Sequence, residues 1–360
     1  MKKIISLALS LTMAIMVFAG CGKQGEDNNA AGNTTGTPAN TTTAIDTGTP
    51  ATGDSVKTGF AVISSIAKST DAGEKDGLAE VDSMIAAVTV DKDGKIEKCI
   101  IDAVQTKVNF SAQGKILTDL KTEVKTKNEL GEAYGMKKAS KIGKEWNEQA
   151  AAFANYVVGK TLDQVKGIAV NEEGTAGDAE LASSVTVHIG DFIAVIEKAV
   201  LNAKELGAKS GDKLGLGVTT NIANSTDAGE KEGLAQAYSM YSVSTFDASG
   251  KITSSIIDAS QTNVNFSKEG KITSDLNVSF KTKNELGDAY GMKKASKIGK
   301  EWNEQAEAFA KYAVGKTVNE IKGIAVNEEG ITTEAELTSS VTVHVADFQK
   351  VIEKASANAK

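Results

Sequence analysis

The chain has 360 residues, of which 41% are hydrophobic, 5% aromatic and 24% charged, with a formal net charge of −7 at pH 7. Lys and Glu are spread along both halves and no basic stripe comes after the first residues, which excludes nucleic acid as a partner and reads as plain solubility. Two cysteines, Cys21 and Cys99, are too few for a disulfide framework or a Cys-based metal site, and two histidines, His188 and His344, give a zinc site nothing to stand on.

The N-terminus reads Met1-Lys2-Lys3, then an apolar run from Ile4 to Phe18, then Ala19-Gly20-Cys21. A basic start, a short apolar stretch and small residues make residues 1–20 an export signal, because the run is shorter than the roughly 20 residues a spanning helix needs. The chain from Cys21 onward is expected outside the cytoplasm. Phe18-Ala19-Gly20-Cys21 resembles the lipobox of bacterial lipoproteins, with Phe where an aliphatic residue is usual. The resemblance implies a lipid on Cys21 and attachment to the extracellular face of the cell membrane. Simple signal cleavage, leaving a free thiol, is the alternative. Residues 21–56 are Thr, Gly, Asn, Ala and Asp with almost nothing large and apolar, and they hold both prolines, Pro38 and Pro50. Such a segment cannot bury enough surface to offset its ordering entropy and reads as a flexible tether.

Residues 57–204 and 213–360 align without a gap at a constant offset of 156, as Ser69 to Lys75 recurring at Ser225 to Lys231 illustrates. These are two copies of one domain, since the period is far too long for a solenoid. In copy one, Ile85 to Val90, an Asp91-Lys92-Asp93-Gly94 turn and Ile96 to Ala103 predict a β-hairpin, with a further short strand at Val108 to Phe110. Ile142, Trp146, Ala150, Phe153 and Val157 fall at helical spacing and end at Gly159. A short helix is expected at Leu162 to Val165. Val185, Val187 and Ile189 alternate with Ser184, Thr186 and His188, which predicts a half-buried strand with its polar side chains on one face. Asp191 is placed to cap a last helix whose apolar face is Phe192, Val195, Ile196 and Ala199. The expected class is α+β, a small and mostly antiparallel sheet packed with helices.

The end of each copy carries the chemical clue. Glu180-Leu-Ala-Ser183-Ser184-Val185-Thr186 and Glu336-Leu-Thr-Ser339-Ser340-Val341-Thr342 resemble the Asp-x-x-Ser/Thr-Gly-Ala-Thr signature of the FMN-binding domain family. Here Glu replaces Asp, Ser replaces Gly and Val replaces Ala. Lys-Thr-Lys-Asn-Glu-Leu-Gly, Tyr134-Gly-Met136, Ile142-Gly-Lys-Glu-Trp146 and Val157-Val-Gly-Lys-Thr resemble the two-domain flavinylated lipoproteins of Gram-positive extracellular electron transfer, over nearly all of the expected mature chain. The resemblance implies two FMN groups, each joined through a phosphoester to Thr186 or Thr342 by a separate FAD-dependent flavin transferase. It also implies cofactor contacts from Glu180, Ser183, Ser184, His188, Tyr134 and Met136, and from Glu336, Ser339, Ser340, His344, Tyr290 and Met292.

Several of these residues have a plainer reading. A Val-Thr-Val-His stretch suits any exposed β-surface. His188 and His344 either donate to the cofactor or face solvent. Trp146 and Trp302 either wall a flavin ring or, as their helical stripe favours, pack in the core. Tyr134 and Tyr290, in Gly-flanked loops, fit both. Gly159-Lys160-Thr161 lacks the earlier glycine of a phosphate-binding loop, and Asp91-x-Asp93-Gly94 lacks the spacing of a calcium loop. Asp102 and Asp258 have no second acid or nucleophile to work with, so no catalytic residues are expected. The resemblance implies an electron carrier and not an enzyme, taking electrons from a membrane quinol or dehydrogenase and passing them to ferric iron, soluble flavin or a reductase. The alternative is a two-domain lipoprotein that binds a ligand without redox chemistry.

Overall fold

The computed structural model describes residues 53–360. The signal peptide, the lipid site at Cys21 and nearly all of the tether lie outside the described residues. In copy one, β1 (Lys57–Ser65), β2 (Gly77–Val90) and β3 (Ile96–Phe110) form an antiparallel meander. The chain continues through α1 (Lys127–Leu130), a 3-10 turn over Gly131–Tyr134, α2 (Trp146–Tyr156), α3 (Leu162–Lys166), α4 (Ala179–Ala182) and α5 (Gly190–Leu201). Copy two repeats the plan with β4 (Lys213–Asn221), β5 (Gly233–Phe246), β6 (Ile252–Phe266), α6 (Lys283–Leu286), a 3-10 turn over Gly287–Tyr290, α7 (Trp302–Ala313), α8 (Val318–Lys322) and α9 (Ala346–Ala357). The α+β class expected from the sequence is the one found. Among the described residues no helix is long and apolar enough to cross a membrane.

Local chemistry explains these elements. The β2–β3 turn closes because the Asp91 carboxylate accepts the N–H groups of Asp93 and Lys95 at 2.9 and 2.8 Å, and Gly94 supplies the positive φ of 77°. Helix α2 begins at Trp146 because Glu145 and Glu148 form a reciprocal capping box. Ile142, expected on the helix stripe, lies in the turn before it. Helix α5 starts two residues earlier than expected: Ile189 stands at its N-cap without a side-chain bond, and Asp191 is a first-turn acid rather than the cap. The short strand expected at Val108 to Phe110 is the far end of β3.

The two faces of each sheet have different duties. On one face Ala86, Val88, Cys99 and Ile101 pack under α2 and α5, against Trp146, Phe153, Phe192, Val195 and Ile196. The helix α5 backbone comes so close to β1 that a Cβ at Gly59 would collide with the Ala199 carbonyl. On the other face Phe60, Val62, Ile85 and Ala87 meet Leu214, Leu216, Tyr241 and Val243 of copy two. Phe110 stacks on Phe266 with centroids 4.3 Å apart and planes at 11°. The layers are therefore helix, sheet, sheet, helix, with a shared core between the copies.

The contacts between the copies are reciprocal, as in an isologous dimer. Lys198 pairs with Glu285 at 2.6 Å and Lys354 pairs with Glu129. Ile116 N donates to Asp227 and Ile272 N to Asp71, both at 2.8 Å. The link from Glu205 to Asp212 is fastened as well: Gly211 N donates to Glu97 at 2.8 Å, and Asp212 accepts from the Thr253 hydroxyl at 2.6 Å. Residues 54–56, expected at the end of the tether, run against 208–210 through Val56 N to Ala208 O and Ser210 N to Asp54 O.

Candidate functional site

The segment holding the threonine departs from the sequence expectation. Residues 184–189 form no strand, and in copy two the sole ladder element is a single bridge between Ile331 and His344. Backbone groups must find partners, and here a side chain supplies them. The buried Gln149 amide oxygen accepts Thr186 N at 2.7 Å, Val187 N at 3.2 Å and the Thr186 hydroxyl at 3.2 Å. Gln305 does the same for Thr342, accepting its N–H at 2.8 Å and its hydroxyl at 3.2 Å. Each glutamine is itself fixed, its NH2 donating to Ser140 Oγ and Lys144 O, or to Ser296 Oγ and Lys300 O. Val185 and Val341 anchor the segment in the core as fully buried side chains.

In copy two the clamped threonine stands on the wall of a cleft of about 390 Å³, lined by Tyr238, Met240, Trp302, Thr342, Val343, His344, Asp347 and Phe348. It is about half open to solvent, and its walls combine aromatic and Met side chains with the polar groups of Thr342, His344 and Asp347. Trp302 serves in both of its readings: it packs edge-on to Phe348, with centroids 5.7 Å apart, and also walls the cleft. Behind the wall lies Lys283, whose Nζ is 4.8 Å from the Tyr238 ring centroid, 4.6 Å from Tyr290 and 4.9 Å from Trp302. It donates to the Tyr238 hydroxyl at 3.3 Å, and that hydroxyl donates to Met240 Sδ at 3.2 Å. Burial pushes the Lys283 ammonium down to about 8, against the pull of Asp258 and Asp347. Burial, with the nearby Asp347, likewise raises the Tyr238 phenol above its ordinary range.

The other candidate residues divide. His188 and His344 are both exposed and lie over Gly174 and Gly330, where a Cβ would come within 3.2 and 3.5 Å of Nδ1; His344 also borders the cleft. Tyr134 and Tyr290 are half-buried and face Lys127 and Lys283. Met136 and Met292 pack against the cores, their N–H groups held at 2.8 Å by Glu145 and Glu301. Ser183, Ser184 and Ser340 spend their hydroxyls on the carbonyls of Glu180, Leu181 and Leu337, so Ser184 does not share an outward face with Thr186 and His188 as the strand reading required. Glu180, Glu336 and Ser339 are exposed and none of the three lines the cleft.

A tethered aromatic cofactor fits this site. The cleft offers aromatic and Met walls and a held hydroxyl at its edge, and Lys283, buried behind the Tyr238 and Trp302 rings, is a cation with no carboxylate at ion-pair distance, which suits an aromatic ring that becomes negatively charged. Sequence reading missed Gln149, Gln305, Tyr238 and the lysines. The signal lay in Trp-Asn-Glu-Gln, identical at 146–149 and 302–305, where a polar residue falls on the buried face of a helix.

A second cleft, of about 400 Å³, lies between the copies and is lined in part by Phe60, Val62, Lys204, Asp258, Asn284 and Glu307. Neither threonine borders it. Asp258 accepts Ala259 N at 2.7 Å and Asn284 N at 3.0 Å, and burial pushes its carboxyl up to about 7. Asp102 has the equivalent contacts and is pushed up to about 6 by the same cause. Cys99 is buried and free, and desolvation raises its thiol to about 12, so it is an inert core residue.

No family model matches the chain, and no solved structure matches it. A curated protein, chlorophenol reductase of Desulfitobacterium hafniense, is similar over a short stretch: 51% identity across 43 residues, covering 12% of this chain and 13% of the reductase.

Proposed function

We propose that the chain is a lipid-anchored carrier on the outer face of the cell membrane, bearing FMN on Thr186 and Thr342 and relaying electrons from a membrane quinol or dehydrogenase to ferric iron, soluble flavin or a reductase. The observation that carries this reading is the convergence in copy two. The threonine picked out by the signature donates its hydroxyl to the Gln305 amide oxygen, and it lies on the wall of a cleft lined by Tyr238, Met240 and Trp302. An FMN esterified there would supply reversible two-electron chemistry, while this chain orients it, shields one face and sets the charge around it. Transfer of FMN from FAD would form the Thr Oγ–P bond, break the FAD pyrophosphate bond and release AMP; the threonine would lose the proton it donates to Gln149 or Gln305, while the glutamines would keep their backbone donors. Covalent attachment also answers a physical need, since a dissociating cofactor outside a cell is lost to dilution.

The competing reading, a non-redox ligand-binding lipoprotein, draws on the cleft between the copies. Intact mass of the mature protein from a host with a flavin transferase separates the two. Two FMN adducts and a lipid on Cys21 are expected. An unmodified chain from that host ends the carrier reading.

A further inference from the structure

The two copies are not electrostatic duplicates. Lys283 is 5% exposed and no carboxylate of the described residues lies within ion-pair distance of it. Its single hydrogen bond goes to the Tyr238 hydroxyl at 3.3 Å. A buried ammonium without a counter-ion is costly, and contact with three aromatic rings offsets part of that cost. Asp347, on the cleft wall, and Asp258 favour the charge from beyond ion-pair distance, and an anion bound in the cleft would favour it further.

Copy one breaks this cage. Asp82 stands where copy two has Tyr238, so Lys127 faces only Tyr134 and Trp146, at 4.7 and 4.9 Å, and is partly exposed. Asp82 is paired with Lys68 at 2.6 Å, and Glu80 lies 3.6 Å from Lys107. The matching residues of copy two are Asn224, Tyr238, Gln236 and Asn263, all neutral. The remaining facing groups are the same in both: Asp191 and Asp347, His188 and His344, and the buried Asp102 and Asp258. At a distance the two extra pairs of copy one cancel. Close to the wall they do not, because the Asp82 carboxylate replaces a phenol and the water around Lys127 screens its charge.

Resting on the flavin reading above, we propose that Lys283 is the charge partner of the reduced ring held at Thr342, and that electrons therefore run from the Thr186 site to the Thr342 site. Two electrons and one proton added to an oxidised flavin leave one net negative charge on its ring, which in the cleft would face the Tyr238 and Trp302 wall that Lys283 backs. The flavin on Thr186 gives up the same two electrons and one proton, so the exchange between sites balances without another reactant.

The test uses the full chain expressed with a flavin transferase, as Thr186→Ala and Thr342→Ala, each left with one flavin and titrated spectroelectrochemically at pH 7. At one applied potential the reduced-to-oxidised ratio is expected to be at least tenfold higher for the flavin on Thr342, which for a two-electron couple is about 30 mV. Lys283→Met in the Thr186→Ala background should abolish that advantage, whereas Lys127→Met in the Thr342→Ala background should move its ratio less than twofold. Ratios within twofold of each other in the two single-flavin chains, or a Lys283→Met ratio that stays put, would overturn the proposal. If Lys283→Met does not fold, the comparison of the two unaltered cages still decides. Absence of the FMN adduct, read by mass before any potential is applied, would instead overturn the flavin reading together with everything built on it.

Discussion

Gln149 is the residue on which copy one's threonine segment depends most directly. Gln149→Leu preserves approximate volume on the buried face of α2 but removes the acceptor for Thr186 N, Val187 N and the Thr186 hydroxyl, as well as the donor to Ser140 Oγ and Lys144 O. The Thr186 hydroxyl can turn toward water, since that residue is half-buried. The two backbone N–H groups have no such freedom while Val185 remains in the core. At about 1–3 kcal/mol for each buried donor left without a partner, the change should cost about 2–4 kcal/mol after some water entry. Urea unfolding with the linear extrapolation reads this as a lower midpoint at unchanged slope. The same variant should load FMN poorly at Thr186 and normally at Thr342, which tryptic mapping resolves. A midpoint that does not move, with full loading at Thr186, would refute the claim that this amide builds the site.

The same geometry fixes further outcomes. Thr186→Ala and Thr342→Ala should each remove one FMN by intact mass, at a stability cost of no more than about 1 kcal/mol in calorimetry, because the glutamine keeps its backbone donors. Val185→Asp or Val341→Asp should destabilise by at least about 3 kcal/mol, since both positions are fully buried and the carboxylate has no partner; a far smaller shift in the urea midpoint would contradict the packing. Cys21→Ala should appear in the culture medium with both flavins attached, and retention in the membrane fraction would point to an anchor other than the lipid. Burial pushes the Asp258 carboxyl up to about 7, and that of Asp102 up to about 6, from 3.8 for a free side chain, so the folded chain holds extra protons between those values. Stability should fall as pH rises from about 4 to 7 and then level off, and Asp258→Asn should flatten that slope in urea titrations at several pH values.

The parts of the fold that keep to a single period were legible in the sequence. Phe192, Val195, Ile196 and Ala199 are all fully buried on α5 or nearly so, and the Asp91 turn closes as its residues dictate. The threonine segment was not legible, because alternation of Val185, Val187 and Ile189 looks like a strand whenever the backbone's partners are unknown. Those partners are the Gln149 amide, the Leu181 carbonyl and the Gly174 carbonyl, which lie 37, 4 and 15 residues away, and no local pattern announces them. Strand β1 escaped notice for a related reason. Gly59 is there so that α5 can approach, a need that arises only once the helix is in place.

The reciprocal contacts bear on how such a chain can carry two unequal sites. Lys198 with Glu285 and Lys354 with Glu129, and Asp71 with Ile272 and Asp227 with Ile116, lie where duplicated sequence met itself across a pseudo-twofold axis. Residues on that axis serve both copies, and a change in one must suit the other. The cleft wall is under no such constraint, because it sits on the helix-covered face of each sheet, away from the sheet-to-sheet contact. Asp82 and Tyr238 could therefore diverge at matching positions while the interface stayed matched. Duplication fixes where the two sites stand relative to each other, and substitutions on the outer faces set how their charges differ.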